Sequence, residues 1–284
     1  MNATPLSPTI DLYVPGGELA ETAFTRTTHL AIGAHQDDLE INMIDGILRC
    51  YGRTDRAFFG VVATDGRGSP RAGKFASCSD DEMVRIRRAE QRKAADLGNY
   101  AGVAFLPWRG SEMKDPANPG PTGDLHSLLI RTGPRVVYTH NLMDKHDTHV
   151  AVALRTIEAL RRLDPSQRPR LVYGCEGWRN LDWLVDAHKV LFDCSEQVEL
   201  QRKLVAVFES QIAGGKRYDL AAIGRRQSHA TGQESHAVDA ISGLTIGIDM
   251  TELMVDASID PVDWATAEIR ALEQDVRARI SKLV

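Results

Sequence analysis

Three short stretches of the chain concentrate the residue types that do chemistry. His35-Gln36-Asp37-Asp38-Leu39-Glu40 follows one apolar run, Thr64-Asp65-Gly66-Arg67-Gly68 follows a second, and Asp144-Lys145-His146-Asp147-Thr148-His149 comes soon after His140. His35 and Asp38 stand three apart where a strand gives way to a helix, so both side chains can aim at one point while Asp37 between them is turned aside. His146 and His149 repeat that interval. Two imidazoles and one carboxylate with open positions are the ligand set of hydrolytic zinc and of non-haem iron. Four protein ligands would close the shell, so one of the histidines has another task. His140, His29 and His188 read instead as hydrogen-bonded structural histidines.

Gly68 to Lys74 matches the glycine-rich phosphate loop up to its last position, where Phe75 replaces the hydroxyl that should hold magnesium. Pro70 also removes a backbone N–H from the cradle. Nucleotide chemistry is therefore the weak alternative. Arg87 and Glu90 lie one turn apart on an apolar helical stripe, as an ion pair would, or with one of them turned to a polar substrate.

These residues need elements to hold them. Leu30–Ala34, Phe58–Ala63, Val103–Leu106, Val136–Thr139 and Leu171–Tyr173 are short, apolar, β-branched runs suited to buried strands. Helical spacing runs through Ile41–Leu48, Asp81–Leu97, from Thr148, from Ser195 with Ser195 as its cap, and from Asp263 to the end, where the apolar positions must pack on something. Asp115–Gly123 reads as a surface loop, and the polar stretch Gly214–Gly243 as active-site cover. Alternating strands and helices predict an α/β fold: a Rossmann-like, mostly parallel sheet with helices on both faces, plus a C-terminal helix. Ligands in such a sheet collect outside the carboxyl ends of the strands, where the His and Asp clusters fall. The expected divisions are an extension over 1–27, the main domain over 28–258 and the C-terminal helix over 259–284.

A formal net charge of −5 provides no broad positive field for phosphate backbones, so no nucleic-acid partner is expected and a small polar substrate fits better. No segment approaches the length of a membrane span, and residues 1–27 lack a signal-peptide pattern, which points to the cytoplasm. Cys50, Cys78, Cys175 and Cys194 form no metal-binding pair and read as reduced thiols. A homo-oligomer is compatible with all of this.

At the His and Asp clusters the sequence resembles the PIG-L/LmbE-like de-N-acetylase family, zinc enzymes that remove acetyl from N-acetylglucosamine units. Ala34 to Glu40 matches the motif A-H-P-D-D-x-E with Gln36 in place of Pro. Arg87 to Glu90 matches its Arg-x-x-Glu helix, Asp144 to His149 its D-R-H-P-D-H, and Ser210-Gln211 its Ser-Gln pair. The resemblance implies that His35, Asp38 and His149 bind zinc, with Fe2+ or another divalent ion as substitute. It makes Asp37 the general base, His146 the group that steadies the tetrahedral intermediate or protonates the leaving amine, and Arg87 a substrate contact. Thr148 stands where the family has an Asp that influences its neighbouring histidine, which bears on the pKa of His146. Asp65 and Arg67, with Arg225, Arg226, His229 and His236, are available to bind hydroxyls, and Trp108 or Trp178 to stack on a sugar face. The expected activity is metal-dependent removal of an N-acetyl group from an N-acetylglucosamine-type conjugate, acetate leaving as water attacks the amide. The alternatives are a non-catalytic sugar-binding or regulatory protein on the same scaffold, and a nucleotide-dependent enzyme using Gly68–Lys74.

Overall fold

Leu30, Ala31 and Ile32 are all fully buried, the signature of a strand covered on both faces, and they lie at the centre of the sheet. The computed structural model describes residues 6–233 and 235–284. Its strands are β1 (Asp11–Tyr13), β2 (His29–Gly33), β3 (Phe58–Thr64), β4 (Gly102–Trp108), β5 (Val136–His140), β6 (Leu171–Cys175), β7 (Lys189–Asp193) and β8 (Leu244–Asp249). The helices are α1 (Ala20–Arg26), α2 (Asp38–Asn42), α3 (Ile44–Cys50), α4 (Asp80–Leu97), α5 (Gly110–Lys114), α6 (Gly120–Thr132), α7 (Asp147–Arg161), α8 (Val198–Ala206), α9 (Glu209–Ile212), α10 (Tyr218–Gly232), α11 (Thr251–Val255) and α12 (Pro261–Ser281).

The eight strands form one sheet in the order β1-β4-β3-β2-β5-β6-β8-β7. The inner five, β4 to β6, run parallel, while β1, β8 and β7 join antiparallel. Alternate residues feed two cores: Leu30, Ile32, Phe59 and Val61 pack on one side, Ala31, Phe58 and Val62 on the other. Chain order reverses between β2 and β5, so the crevice at their carboxyl ends is the topological switch point of a doubly wound sheet.

The five expected strands are present, and the missed ones are the three that pair antiparallel: β1 and β7, whose mixed polarity suits the two edges of the sheet, and β8, a largely buried strand between β6 and β7. The stretch before residue 28 supplies β1 and the core residues Ala23 and Phe24. The first crossover is two helices, broken at Met43 (φ −116°, ψ 27°), not one. Within the expected surface loop 115–123, helix α6 already starts at Gly120, with Pro121 set at its first turn where a missing N–H costs nothing. Ser195 does not cap α8; Gln197 precedes it in a left-handed conformation, and the Ser195 hydroxyl accepts from the Ser242 N–H instead. Gly214–Gly243 holds helix α10, whose arginines anchor to backbone carbonyls and so give the segment its polar sequence. Helix α12 fully buries none of its residues: Trp264 and Ala265 at its start pack against the core, while Ile269, Val276 and Ile280 are exposed among the described residues, so only the first turns of the expected stripe are covered.

Candidate active site

The loop after β2 carries His35 to Asp37 and opens α2 with Asp38; the loop after β5 carries Asp144 and His146 and leads into α7, with His149 on its first turn. Because β2 and β5 are adjacent, the two motifs meet across the switch point. His35 Nδ1 lies 3.3 Å from Asp38 Oδ2, His149 Nε2 lies 3.5 Å from Asp38 Oδ1, and the two ring nitrogens are 3.3 Å apart. Donors held at about 2.0–2.2 Å from one tetrahedral cation stand about 3.3–3.5 Å from each other, so the separations fit a divalent ion. His146 joins His35 and His149 in a cluster of metal-capable nitrogens.

His149 Nδ1 meets Asp144 Oδ2 at 2.9 Å, which sets the tautomer and leaves Nε2 facing Asp38. Asp144 in turn accepts the backbone N–H groups of Lys145, Trp178 and Arg179. Burial disfavours the charged form of Asp38, yet His149 and His140 overcome it and hold the carboxyl well below its usual range. His140, read as an isolated structural histidine, belongs to this cluster: its ring stacks on His149 at 3.8 Å and its Nε2 is 3.4 Å from Asp38 while accepting the Ala34 N–H.

Asp37 adopts φ 95°, a left-handed conformation that costs a non-glycine residue of order 1–3 kcal/mol and persists only when its surroundings impose it. Two side chains of α4 do so. Arg87 donates to the Gln36 carbonyl and reaches Asp37 Oδ2 at 3.3 Å, while Gln91 Oε1 accepts the Asp37 N–H at 3.2 Å. Gln91 is itself held by donating to Glu40, which also accepts from the Tyr100 hydroxyl. Burial pushes the Asp37 carboxyl up to about 6, with Arg87 opposing the rise, and a base tuned towards neutrality suits proton transfer near pH 7. Arg87 is 1% exposed, which puts it behind Asp37 at the cavity wall. Its partner along the helix, Glu90, is 3.7 Å away and accepts both the N–H and the hydroxyl of Ser210.

Burial first, then the neighbouring His149 and His35, push the His146 pKa down, and its Nδ1 is buried without a hydrogen-bond partner among the described residues. Thr148 stands beside it and brings no compensating charge.

These groups open onto a cavity of about 1130 Å3. Asp65 and Arg67 line it as a pair, Arg67 Nε donating to Asp65 Oδ2 at 2.5 Å. Trp178 reaches the cavity, whereas the Trp108 indole N–H is spent on Asp124. Arg225 and His229 also line it, but Arg225 is committed to the Gly177 carbonyl and Asn42, and His229 faces Glu176. Arg226 is buried, donating to the Glu40 and Ile41 carbonyls, and His236 is exposed outside the lining. The Gly68–Lys74 loop has no phosphate cradle: the next α-helix starts only at Asp80, and Lys74 pairs with Glu209 at 2.6 Å. Asp144, Gln91, Glu40 and Tyr218 received no role from spacing alone, although the first three lie in or beside the matching motifs.

Fold and site together define a doubly wound α/β protein with a His-Asp cluster at its switch point. Residues 30–160 match the sequence model of the PIG-L family, described as GlcNAc-PI de-N-acetylase. No curated protein sequence matches the chain significantly. Among solved structures, the chain is similar to N,N'-diacetylchitobiose deacetylase from Pyrococcus horikoshii, at 17% identity over 84% of this chain and 90% of that one, with a TM-score of 0.63. It also resembles an A40926 pseudoaglycone deacetylase (16% identity, 79% and 97% covered, TM-score 0.58). A third similar structure is 4-carboxy-2-hydroxymuconate hydratase from Pseudomonas putida KT2440 (15% identity, 79% and 96% covered, TM-score 0.57). At such identities the likeness establishes the fold, and since a hydratase shares it with deacetylases, the reaction must be argued from the site.

Proposed function

We propose that the protein is a metal-dependent de-N-acetylase acting on an N-acetylated sugar conjugate, with zinc as the expected ion. The observation that carries this reading is the convergence of His35, Asp38 and His149, whose donor atoms stand 3.3–3.5 Å apart, with buried Asp37 beside them in the lining of a cavity. A divalent cation held there supplies an activated water and polarises the amide carbonyl.

The chain's own groups do the rest. Asp37, positioned by Arg87 and Gln91, takes the proton released as water adds to the carbonyl carbon. His146, neutral because its pKa is lowered, donates an N–H hydrogen bond to the oxygen on which negative charge gathers. The C–N bond then breaks, and the proton held by Asp37 passes to the departing amine, leaving acetate. Asp65 and Arg67 offer hydroxyl-binding groups on the wall, and Trp178 an aromatic surface.

The test is to incubate zinc-loaded protein with a panel of N-acetylglucosamine derivatives, with and without chelator, and to follow primary amine and acetate. Chelator-sensitive release of both is expected; binding without release would favour the non-catalytic reading. Asp37→Asn should keep the metal and fall below a tenth of the wild-type kcat, because a carboxamide cannot accept the proton. His35→Ala should lose metal by elemental analysis.

A further inference from the structure

Helix α10 lies outside the stretch that matches the family, yet it closes one side of the cavity and begins with a tyrosine. The helix is keyed to the motif: Arg226 donates to the Glu40 and Ile41 carbonyls of α2, and Arg225 to the Gly177 carbonyl. Its first residue is therefore held in place relative to Asp37 and Asp38. The Tyr218 ring meets Trp178 edge to face, with centroids 6.0 Å apart, and Trp178 lies nearly parallel to His146 at 6.4 Å. The three rings form one wall ending at the reaction centre.

Buried tyrosines elsewhere spend their hydroxyls on carboxylates: Tyr100 donates to Glu40 and Tyr138 to Asp45. Tyr218 is half-buried, lines the cavity, and its hydroxyl has no hydrogen-bond partner among the described residues. An unspent donor in a catalytic cavity is available to the ligand.

We infer that Tyr218 is a catalytic residue whose hydroxyl donates a hydrogen bond to the oxygen of the reacting acyl group. The assignment rests on the deacetylase reading for the identity of that group. Burial, and then the carboxylates of Asp37 and Asp38, push the phenol's pKa up, so it keeps its proton and acts as a donor throughout. No proton leaves Tyr218. The carbonyl electron pair moves onto oxygen as water adds, the water's proton goes to Asp37, and the pair returns as the C–N bond breaks towards nitrogen, which takes that proton.

Tyr218→Phe keeps the ring and removes only the donor. Zinc content, near-ultraviolet circular dichroism and melting temperature should match wild type. Acetohydroxamate, titrated into the zinc-loaded protein by calorimetry, should bind about tenfold more weakly, and kcat for amine release should fall roughly 100-fold with KM within threefold. Hydroxamate affinity within twofold of wild type overturns the assignment, as does a loss confined to KM. If wild-type protein releases no amine from any derivative, the deacetylase reading fails on that result, while the hydroxamate titration still decides whether Tyr218 donates to a bound acyl oxygen.

Discussion

Replacing Asp144 by Asn removes one buried charge and nothing of its shape, and the consequences can be worked from four hydrogen bonds. Asp144 Oδ2 meets His149 Nδ1 at 2.9 Å and the Trp178 N–H at 3.2 Å; Oδ1 accepts the Lys145 N–H at 2.7 Å and the Arg179 N–H at 3.0 Å. An Asn side chain has one oxygen, so it can serve one of these pairs, and its NH2 then points at the two donors of the other. Buried donors without an acceptor cost about 1–3 kcal/mol each, which puts the loss of stability in the metal-free protein at ~3 kcal/mol. The imidazole also loses the carboxylate that fixes its tautomer and raises its basicity, a change that typically weakens metal binding 10–100-fold, or about 1.4–2.7 kcal/mol. Urea unfolding of the metal-free variant reads the first quantity, and zinc titration against a competing chelator reads the second. A folded Asp144→Asn protein that binds zinc within twofold of wild type would refute the view that Asp144 acts through His149.

Two further outcomes test the supports around the site and the sheet. Gln91→Leu leaves the Asp37 N–H and one side of Glu40 without their partner; stability should fall by about 2 kcal/mol and kcat by roughly tenfold with metal content unchanged, and an unaltered kcat would show that Asp37 needs no brace from α4. His29 is held neutral by burial and by Arg49, Arg56 and Arg135, which lower its pKa to about 4. Since the folded state binds the proton less readily than the unfolded chain, its contribution is complete above about pH 6.5 and is lost as pH falls towards 4; at full burial such a shift is worth about 3 kcal/mol, and less at this partly wetted site. Denaturant unfolding between pH 7 and 4 should therefore be less pH-dependent in His29→Gln than in wild type, and identical curves would count against the assignment.

The inner strands were legible in the sequence because burial on both faces demands continuous apolar, β-branched runs such as Leu30–Ile32 and Phe58–Ala63, and a run of that kind has few other uses. The His and Asp motifs were legible too, since a three-residue interval places two side chains on one side of a turn whatever the surroundings. Edge strands β1 and β7 were not, because an edge needs only one apolar face and its residues resemble those of a loop; β8 lies inside the sheet between β6 and β7, where Thr245 and Gly247 break up its apolar run. Helix α10 was hidden for a related reason: Arg225 and Arg226 are polar in sequence but spend their donors on buried carbonyls, a use that depends on where Gly177, Glu40 and Ile41 end up.

Local spacing determined which His and Asp side chains of this protein share one side of a turn, and the sequence held that information because a few bonds of backbone fix the interval between neighbours. Only the tertiary structure decided what they meet. Crossing from β2 to β5 puts His149 against His35, more than a hundred residues away in the chain; packing α4 on α2 forces Asp37 into its left-handed turn; and docking α10 brings Tyr218 to the same cavity. Contacts between distant segments arise from strand order and core packing, and no short window of sequence contains either.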